Sequence, residues 1–482
     1  MPKRILFTPS YFYRFDEKQW RNKQPYPPYG TLLAASYLRS TGFDVQLFDS
    51  NLKQSPKEIN AVLEAFRPDY VVVFDDSFNY LSKMCLTIMR DACFDLIHYS
   101  KAFGCKVLVN SSDATDHSKL YLDNGADIVI KGEGELTLHE LLTTDCSSLE
   151  KCLGIAYLKD TNLVTNGKRN VLTELDILPQ PAWDLIDINA YKQIWLQAHG
   201  KFSLNIATTR GCPFKCNWCA KPIYGNRYNS RSPQSIVNEL KLLMNGFGAT
   251  HFWVCDDIFG LKPGWVEEFS QLLQKENLHP KFKIQCRADL LLKENTIQHL
   301  VNAGLDEVWM GAESGSQQVL DAMDKGTKVE QIFEATRLLK RYGIKVCFFL
   351  QYGYLGETKN DIDKTLSMVK ELMPYDIGIS VSYPLPGTGF YEKVKAQLQE
   401  KQNWTDSDDL AMMYQATYSQ QFYRHLHRHT HKVFRKQKSV LNMKKVFRKP
   451  TTVNVQQMKS IAKWPYHWLS EILSEQKLKS LE

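Results

Sequence analysis

Short apolar runs alternate with helical stripes along the first 150 residues. Residues 4 to 10, Arg-Ile-Leu-Phe-Thr-Pro-Ser, form an apolar run ending in small polar residues, as a buried parallel strand and its loop should. After Tyr26-Pro-Pro-Tyr-Gly30, a loop signal, the stretch from Thr31 to Ser40 carries Leu32, Leu33, Ala35 and Leu38 and stops at Gly42, which predicts a helix. The pattern repeats. A strand Val45–Phe48 ends at Asp49, and Ile59, Val62, Leu63 and Phe66 then fall at helical spacing over 57–66. A third strand, Tyr70–Phe74, runs into Asp75 and Ser77. Strands at 106–109 and 127–130 come next, and Gly132-Glu-Gly-Glu135 opens a helix through Leu142. About five β-α units of this kind predict a doubly wound parallel sheet.

Residues 151–200 read as a linker, with a small hairpin around Asn162 to Gly167 and a break at Leu178-Pro-Gln-Pro-Ala182. The domain boundary is expected near Pro179. From Phe202 the alternation returns, with strands near 202–208, 251–255, 282–286, 307–311, 345–350 and 377–382 and helical stripes between them. Six such units suggest an open, partial (β/α)6 barrel over 201–395. Beyond it, Tyr418, Phe422, Leu426, His429 and Val433 recur at helical spacing, so 396–482 is expected to be mostly helical. The chain is therefore α/β, with a first domain over 1–150 and a second after the linker.

Composition narrows this picture. The chain has 482 residues and 43% hydrophobic content, enough for sizeable cores and incompatible with a disordered protein. No segment approaches ~18 uninterrupted apolar residues, and the apolar run after Met-Pro-Lys-Arg is too short for a signal peptide. A cytoplasmic protein is expected. Eleven cysteines are too scattered for a disulfide framework; Cys85, Cys93, Cys105 and Cys347 read as small buried side chains in a reducing compartment. The net charge of +7 is not uniform. From Leu410 to Ser470 there is no Asp or Glu, yet twelve Lys and Arg, among them Arg424, Lys444, Lys449, Lys459 and Lys463, lie inside that span. A basic helix there could meet an anionic membrane surface, an acidic substrate or nucleic acid. The favoured reading is plainer, a solvated face on a helix packed over the barrel mouth. His425, His427, His429 and His431 alternate, which spreads them around a helix, so no metal is assigned to them.

The chemistry concentrates at strand ends. Thr209-Arg-Gly-Cys-Pro-Phe-Lys-Cys-Asn-Trp-Cys219 sets Cys212, Cys216 and Cys219 in a C-x3-C-x2-C array just after the first barrel strand. Three thiolates bind three irons of a four-iron cubane and leave the fourth iron open. A structural zinc site would need a fourth ligand, and the next candidates, His251 and Cys255, are distant in sequence. The other barrel strands end in Asp256 and Asp257, Arg287, Glu313 and Ser314, and Tyr352 to Glu357. Such positions ring the working mouth of a barrel, although an acid like Asp257 is more often a cap and Glu313 could simply be a cap or pair with a neighbouring Lys. In the first domain, ligands belong beyond the carboxyl ends of the strands, so Thr8, Asp49, Asp75, Ser77, Asn110, Gly132 and Glu133 are the candidate contacts. Nothing there matches G-x-G-x-x-G, and the acids of Gly132-Glu-Gly-Glu135 argue against a dinucleotide phosphate. Taken alone, the two glycines are best read as a strand-to-helix turn.

The cysteine array, Asp256-Asp-Ile-Phe259, Gly311-Ala-Glu-Ser-Gly315, Tyr354-Leu-Gly-Glu-Thr358 and Pro384-Leu-Pro-Gly-Thr388 together resemble a radical S-adenosylmethionine (SAM) enzyme. The sheet in front, with its Gly132-Glu-Gly-Glu135 turn, resembles the cobalamin-binding domain of the subgroup that includes cobalamin-dependent methylases and the anaerobic magnesium-protoporphyrin ester cyclase. The resemblance covers roughly residues 4 to 395. It implies a 4Fe-4S cluster on Cys212, Cys216 and Cys219 whose open iron chelates SAM, one-electron cleavage of SAM to a 5′-deoxyadenosyl radical, and an electron donor such as a flavodoxin or ferredoxin. It further implies Trp218 beside the adenine, Asp256 at the methionine amino group, Glu313 and Ser314 at the ribose or methionyl part, and Arg287 at the carboxylate. Cobalamin would sit at the strand ends from Thr8 to Glu133. The Asp-x-His-x-x-Gly motif that supplies a cobalt-ligating His is absent, so cobalamin would bind without one, and Tyr354-Leu-Gly replaces the usual small-Pro-Gly. The expected function is methylation of an unactivated carbon of an organic substrate in an anaerobic setting. Cyclisation or rearrangement in the manner of the cyclase, or a non-catalytic cobalamin-binding role, are the alternatives.

Overall fold

The computed structural model describes residues 2–79, 84, 86–293, 295–398, 401, 403–448 and 455–482, so Cys85 and Lys449 lie outside the described residues. Seven strands form the first sheet: β1 Arg4–Thr8, β2 Asp44–Leu47, β3 Tyr70–Phe74, β4 Lys106–Asn110, β5 Ile128–Ile130, β6 Ile155–Lys159 and β7 Asn162–Thr165. They run in the order β2-β1-β3-β4-β5-β6-β7. The first five are parallel, with Ile5 registered on both Val45 and Tyr70. Their unbroken apolar runs follow from having both faces covered. Leu6, Val71, Val73 and Val107 pack against Ile59, Leu63 and Leu96 on one side, while Ile5, Phe7, Val72 and Leu108 pack against Ala34, Leu38 and Leu141 on the other.

The connecting region holds more structure than a linker. A hairpin of β6 and β7 adds antiparallel to β5 and extends the sheet to Thr165. Its reversal lies at Asp160 and Thr161, both at positive φ, immediately before the Asn162-to-Gly167 stretch around which the sequence predicts the hairpin. A helix Ile188–His199 comes after it, capped by the Asp187 carboxylate, which accepts from the Asn189 and Ala190 amides. It buries Tyr191 and Trp195.

The second domain has β8 Ser203–Ile206, a two-residue ribbon of β9 Thr209–Arg210 with β10 Asn229–Ser230, then β11 His251–Val254, β12 Lys281–Cys286, β13 Leu305–Glu313, β14 Lys345–Tyr352 and β15 Asp376–Val381. The six long strands are all parallel, in the order β15-β14-β13-β12-β11-β8. Among the described residues β8 and β15 do not pair, which leaves the barrel partial and open.

Three helices, Gln420–Arg448, Val455–Ala462 and Trp464–Lys479, form the C-terminal region. The first lays Phe422, Tyr423, Leu426 and Phe434 into the barrel's core. Tyr352, at the end of β14, meets Thr430 of this helix through their hydroxyls at 3.1 Å. Apolar spacing in the tail therefore marks a packed helix, as expected. Cys93, Cys105 and Cys347 are buried and free. No described helix is long and apolar enough to cross a membrane.

Candidate active site

The three cysteines sit on one loop whose base is pinned. The β9–β10 ribbon pairs Thr209 with Ser230 and Arg210 with Asn229, so residues 211–228 leave and return at the carboxyl end of β8. Gly211 fits there for a steric reason: at φ +78° a Cβ would stand 2.5 Å from the Arg227 carbonyl oxygen. Below the ribbon, Asp256 is fully buried and accepts from the Thr208 amide at 2.7 Å, the Thr209 amide at 3.0 Å and the Thr208 hydroxyl. Burial lifts its carboxyl to about 7 despite those bonds. Asp256 thus anchors the root of the loop.

Asn217, between the second and third cysteines, ties the loop's far side. Its amide nitrogen donates to the Met323 carbonyl at 3.0 Å, and its side-chain Nδ2 to the Ala322 carbonyl and the Asp324 carboxylate, each at 2.8 Å. Its Oδ1 accepts from the Tyr354 hydroxyl at 2.6 Å, and its carbonyl from the Phe390 amide at 2.7 Å. One residue therefore joins the loop to the segments after β13, β14 and β15. It carries no motif of its own, which is why the sequence does not single it out.

The thiols stand free on this frame. Burial pushes the Cys219 thiol up to about 12 and raises that of Cys212, with the Lys221 ammonium pulling the other way. Thiolates in such dry surroundings need cationic partners. Among the described residues no three His, Cys, Asp or Glu side chains are arranged around a single metal ion.

Of the five residues expected at SAM, three (Trp218, Arg287 and Glu313) meet around Lys325, which is not among the five. Lys325 donates to Glu313 Oε1 at 2.6 Å, lies 5.8 Å from the Trp218 ring centroid, and offers its backbone carbonyl to Arg287 Nη1 at 2.6 Å. Arg287 also forks onto Asp289, stacks 3.8 Å over Phe214, and reaches within 4.0 Å of Cys216 Sγ. Glu313 holds this place at φ +56°, uncommon for a residue with a side chain. Trp218 Nε1 is buried and has no hydrogen-bond partner, an unmet donor beside the third cysteine. Ser314 turns elsewhere, toward Thr365 at 3.0 Å and the Ser316 amide at 3.1 Å, and shapes the turn after β13. Lys325 is the lysine that the pairing alternative for Glu313 anticipated.

The first sheet points its carboxyl ends at the same loop. Arg210, immediately before Gly211, forks onto Glu133 Oε1 at 2.5 Å and Glu135 Oε1 at 2.6 Å, all three side chains being buried. Ser77, beyond β3, meets the Tyr224 hydroxyl of the cysteine loop at 2.5 Å, and the Arg210 guanidinium lies 5.2 Å from the Tyr224 ring centroid. The acids of Gly132-Glu-Gly-Glu135 are thus the lock between the two domains. Of the remaining strand-end residues, Asp75 accepts from the Ser10 amide and hydroxyl at 2.7 and 3.0 Å, and Asp49 from the Tyr191 hydroxyl at 2.7 Å. Asn110 donates to the carbonyls of Ile130 and Gly132, and Thr8 to that of Pro9. Burial raises both Asp49 and Asp75 to about 6.

Comparison with known proteins agrees with this architecture. Residues 206–369 match the Radical SAM superfamily, and that domain uses a 4Fe-4S cluster and SAM. The chain is 27% identical over 390 residues to an uncharacterized methyltransferase of Pyrococcus horikoshii, covering 78% of this chain and 81% of the relative. It is 25% identical over 330 residues to the anaerobic magnesium-protoporphyrin IX monomethyl ester cyclase of Synechocystis, covering 67% of this chain but only 64% of that protein's length. Among solved structures, the cobalamin-dependent SAM radical enzyme OxsB, with aqua-cobalamin bound, superposes with a TM-score of 0.74 at 17% identity, over 99% of this chain and 72% of that one. The chain shares that fold from end to end.

Proposed function

We propose that this chain is a radical SAM methyltransferase that takes a methyl group from cobalamin to a carbon of an organic substrate. The observation that supports it best is the Arg210 fork onto Glu133 and Glu135, which fixes the ligand-binding ends of both sheets against one another. The methyltransferase of P. horikoshii supports the reaction type, and the fold shared with OxsB supports the pairing of cofactors.

The residues suit the groups. Cys212, Cys216 and Cys219 form a soft, thiol-only donor set on a loop pinned at root and tip, as an iron-sulfur cluster requires. The unmet Nε1 donor of Trp218 and the Glu313–Lys325 pair would hold SAM, with Arg287 setting positive charge next to Cys216. Asp256 keeps the loop root in place. At the first sheet, Thr8, Asp49, Asp75, Ser77, Asn110 and Gly132 would form the cobalamin side of the site, their polar groups held in place by bonds to neighbouring residues. Glu133 closes the site on the barrel side. When bound, the three cofactors would supply one-electron cleavage of SAM and a transferable methyl group. The chain's own part is to bind, align and exclude water: Arg210 sits behind the loop without solvent, and burial of this kind strengthens each charge nearby. The buried free thiols of Cys93, Cys105 and Cys347 fit a reducing, cytoplasmic setting in which a flavodoxin or ferredoxin would deliver the electron.

The test is anaerobic reconstitution with cluster, SAM and cobalamin, and then assay of 5′-deoxyadenosine and S-adenosylhomocysteine with candidate substrates. Formation of both supports methylation, 5′-deoxyadenosine alone supports the cyclase-like alternative, and neither opposes both readings. A Cys216→Ala variant that kept the full cluster absorbance would remove the ligand assignment.

A further inference from the structure

The terminal helix Trp464–Lys479 has its polarity reversed. It packs inward through mostly polar contacts: the Ser474 hydroxyl meets His429 Nδ1 at 2.8 Å, Glu471 pairs with Lys436 at 2.5 Å, and Leu478 joins the core. The opposite face, at helical spacing, carries Tyr466 (69% exposed), Leu469 (53%) and Leu473 (56%), with Trp468 (48%) at its side. The preceding helix adds Met458 at 53%, and the long helix Leu441 at 44%. Such a concentration of exposed large apolar groups marks an interaction surface.

Charge indicates what covers it. Residues 420–482 hold fourteen basic and three acidic residues. The acids do not offset the apolar face: Glu471 is turned inward to Lys436, Glu475 pairs with Lys479, and Glu482 lies 3.8 Å from Lys359. Lys459 and Lys463, next to the apolar face in sequence, are exposed, as are Lys444 and Lys445. A second copy of this chain would bring like charges together. Nucleic acid would leave the leucines without an apolar partner. A surface that is both anionic and apolar beneath satisfies both features, and Trp and Tyr are suited to its polar boundary.

We propose that the C-terminal helices dock this protein on an anionic lipid bilayer, with Tyr466, Trp468, Leu469 and Leu473 at the acyl boundary and the lysines at the headgroups. Docking of this kind is peripheral and falls as salt rises. The full chain is to be sedimented with vesicles of phosphatidylcholine alone and of phosphatidylcholine mixed with phosphatidylglycerol. At low salt, partitioning onto the mixed vesicles should exceed that onto neutral ones by about tenfold or more. Leu469→Glu with Leu473→Glu should abolish it, and Lys459→Glu with Lys463→Glu should cut it by about tenfold. Thermal unfolding of both variants should match the parent, because these side chains are exposed. Equal binding to both vesicle types, binding to neither, or binding unchanged by the leucine substitutions would overturn the proposal. So would a concentration-dependent dimer that the leucine substitutions dissolve, or tight DNA binding that survives them.

Discussion

Glu357 is a carboxyl group in an unusually dry position. Its Oε2 accepts from the Gly353 amide at 2.6 Å, but its Oε1 is buried without a partner. Burial lifts its pKa from 4.5 to about 8. Between those values the folded state holds more protons than the unfolded one, so stability falls as pH rises through the window. Replacing Glu357 with Gln removes that contribution, and the melting temperature of the variant should decline less steeply from pH 4.5 to 8. The difference in slope can reach about 1.4 kcal/mol per pH unit. Asp49, Asp75 and Asp256 act with the same sign and remain in the variant, so its profile should flatten without becoming level. Identical slopes would mean that Glu357 is hydrated. Asn217 gives a second test at this scale. Its side chain makes three hydrogen bonds in a partly exposed setting, so Asn217→Ala should cost about 2 kcal/mol. It should also lower iron bound per chain after reconstitution, because the untied tip carries Cys216 and Cys219. Iron content equal to the parent's would show that the root of the loop is enough.

At the scale of elements, the turn between β5 and the helix Glu135–Thr143 and the root of the cysteine loop act as one joint. A buried charge left without its partner is costly, whereas replacing a whole ionic group by apolar side chains can be nearly neutral. Arg210→Met alone strands Glu133 and Glu135 and should destabilise the chain by about 3–5 kcal/mol. The triple variant Arg210→Met, Glu133→Leu, Glu135→Leu should recover a good part of that loss in denaturant unfolding. A triple variant worse than the single would show that the net contribution of the ionic pairs exceeds their desolvation cost. The joint also shows where sequence reading stops. The parallel strands and the polar residues at their ends are legible, because a doubly wound sheet and a barrel impose apolar runs of fixed length and place loops at known ends; the order of the strands within each sheet is not. The array of Cys212, Cys216 and Cys219 is legible because its spacing is local. What Arg210 touches is not, since its partners lie 77 and 75 residues away and no periodicity reports a contact across domains. The same holds for Lys325, which sits in no motif, and for Asp256, whose strand-end position is visible but whose bonds to Thr208 and Thr209 are not. The helix Ile188–His199 is masked by the prolines before it, which signal a break whatever structure the chain adopts beyond them.

For the whole molecule, the question is whether three regions that the sequence separates behave as separate bodies. One apolar core argues that they do not. It runs from Tyr29, Leu32 and Phe78 of the first domain, through Trp183 and Trp195 of the connector and Phe252, Val308 and Phe348 of the barrel, to Phe422, Tyr423, Leu426 and Leu478 of the C-terminal helices. Polar ties take the same route: Tyr29 donates to Glu239 Oε2 at 3.1 Å, the Trp195 indole to the Pro25 carbonyl at 2.8 Å, and the Ser407 hydroxyl to Asp16 at 2.8 Å. Interfaces between independent domains are usually smaller and more polar, so although the first sheet also has cores of its own, the shared core ties the three regions together. Unfolding should therefore be a single cooperative event, with far-ultraviolet circular dichroism and tryptophan fluorescence giving coincident midpoints in urea. Tryptophans in both the connector and the barrel make fluorescence sensitive to each half. Two separated transitions would mean that the first sheet can detach, and with it the alignment of the two sheets on which the proposed methyl transfer would depend. In that case the Arg210→Met variant should widen the separation. Coincident midpoints in the parent that split only in Arg210→Met would instead identify the buried fork as what holds two otherwise separable domains in register.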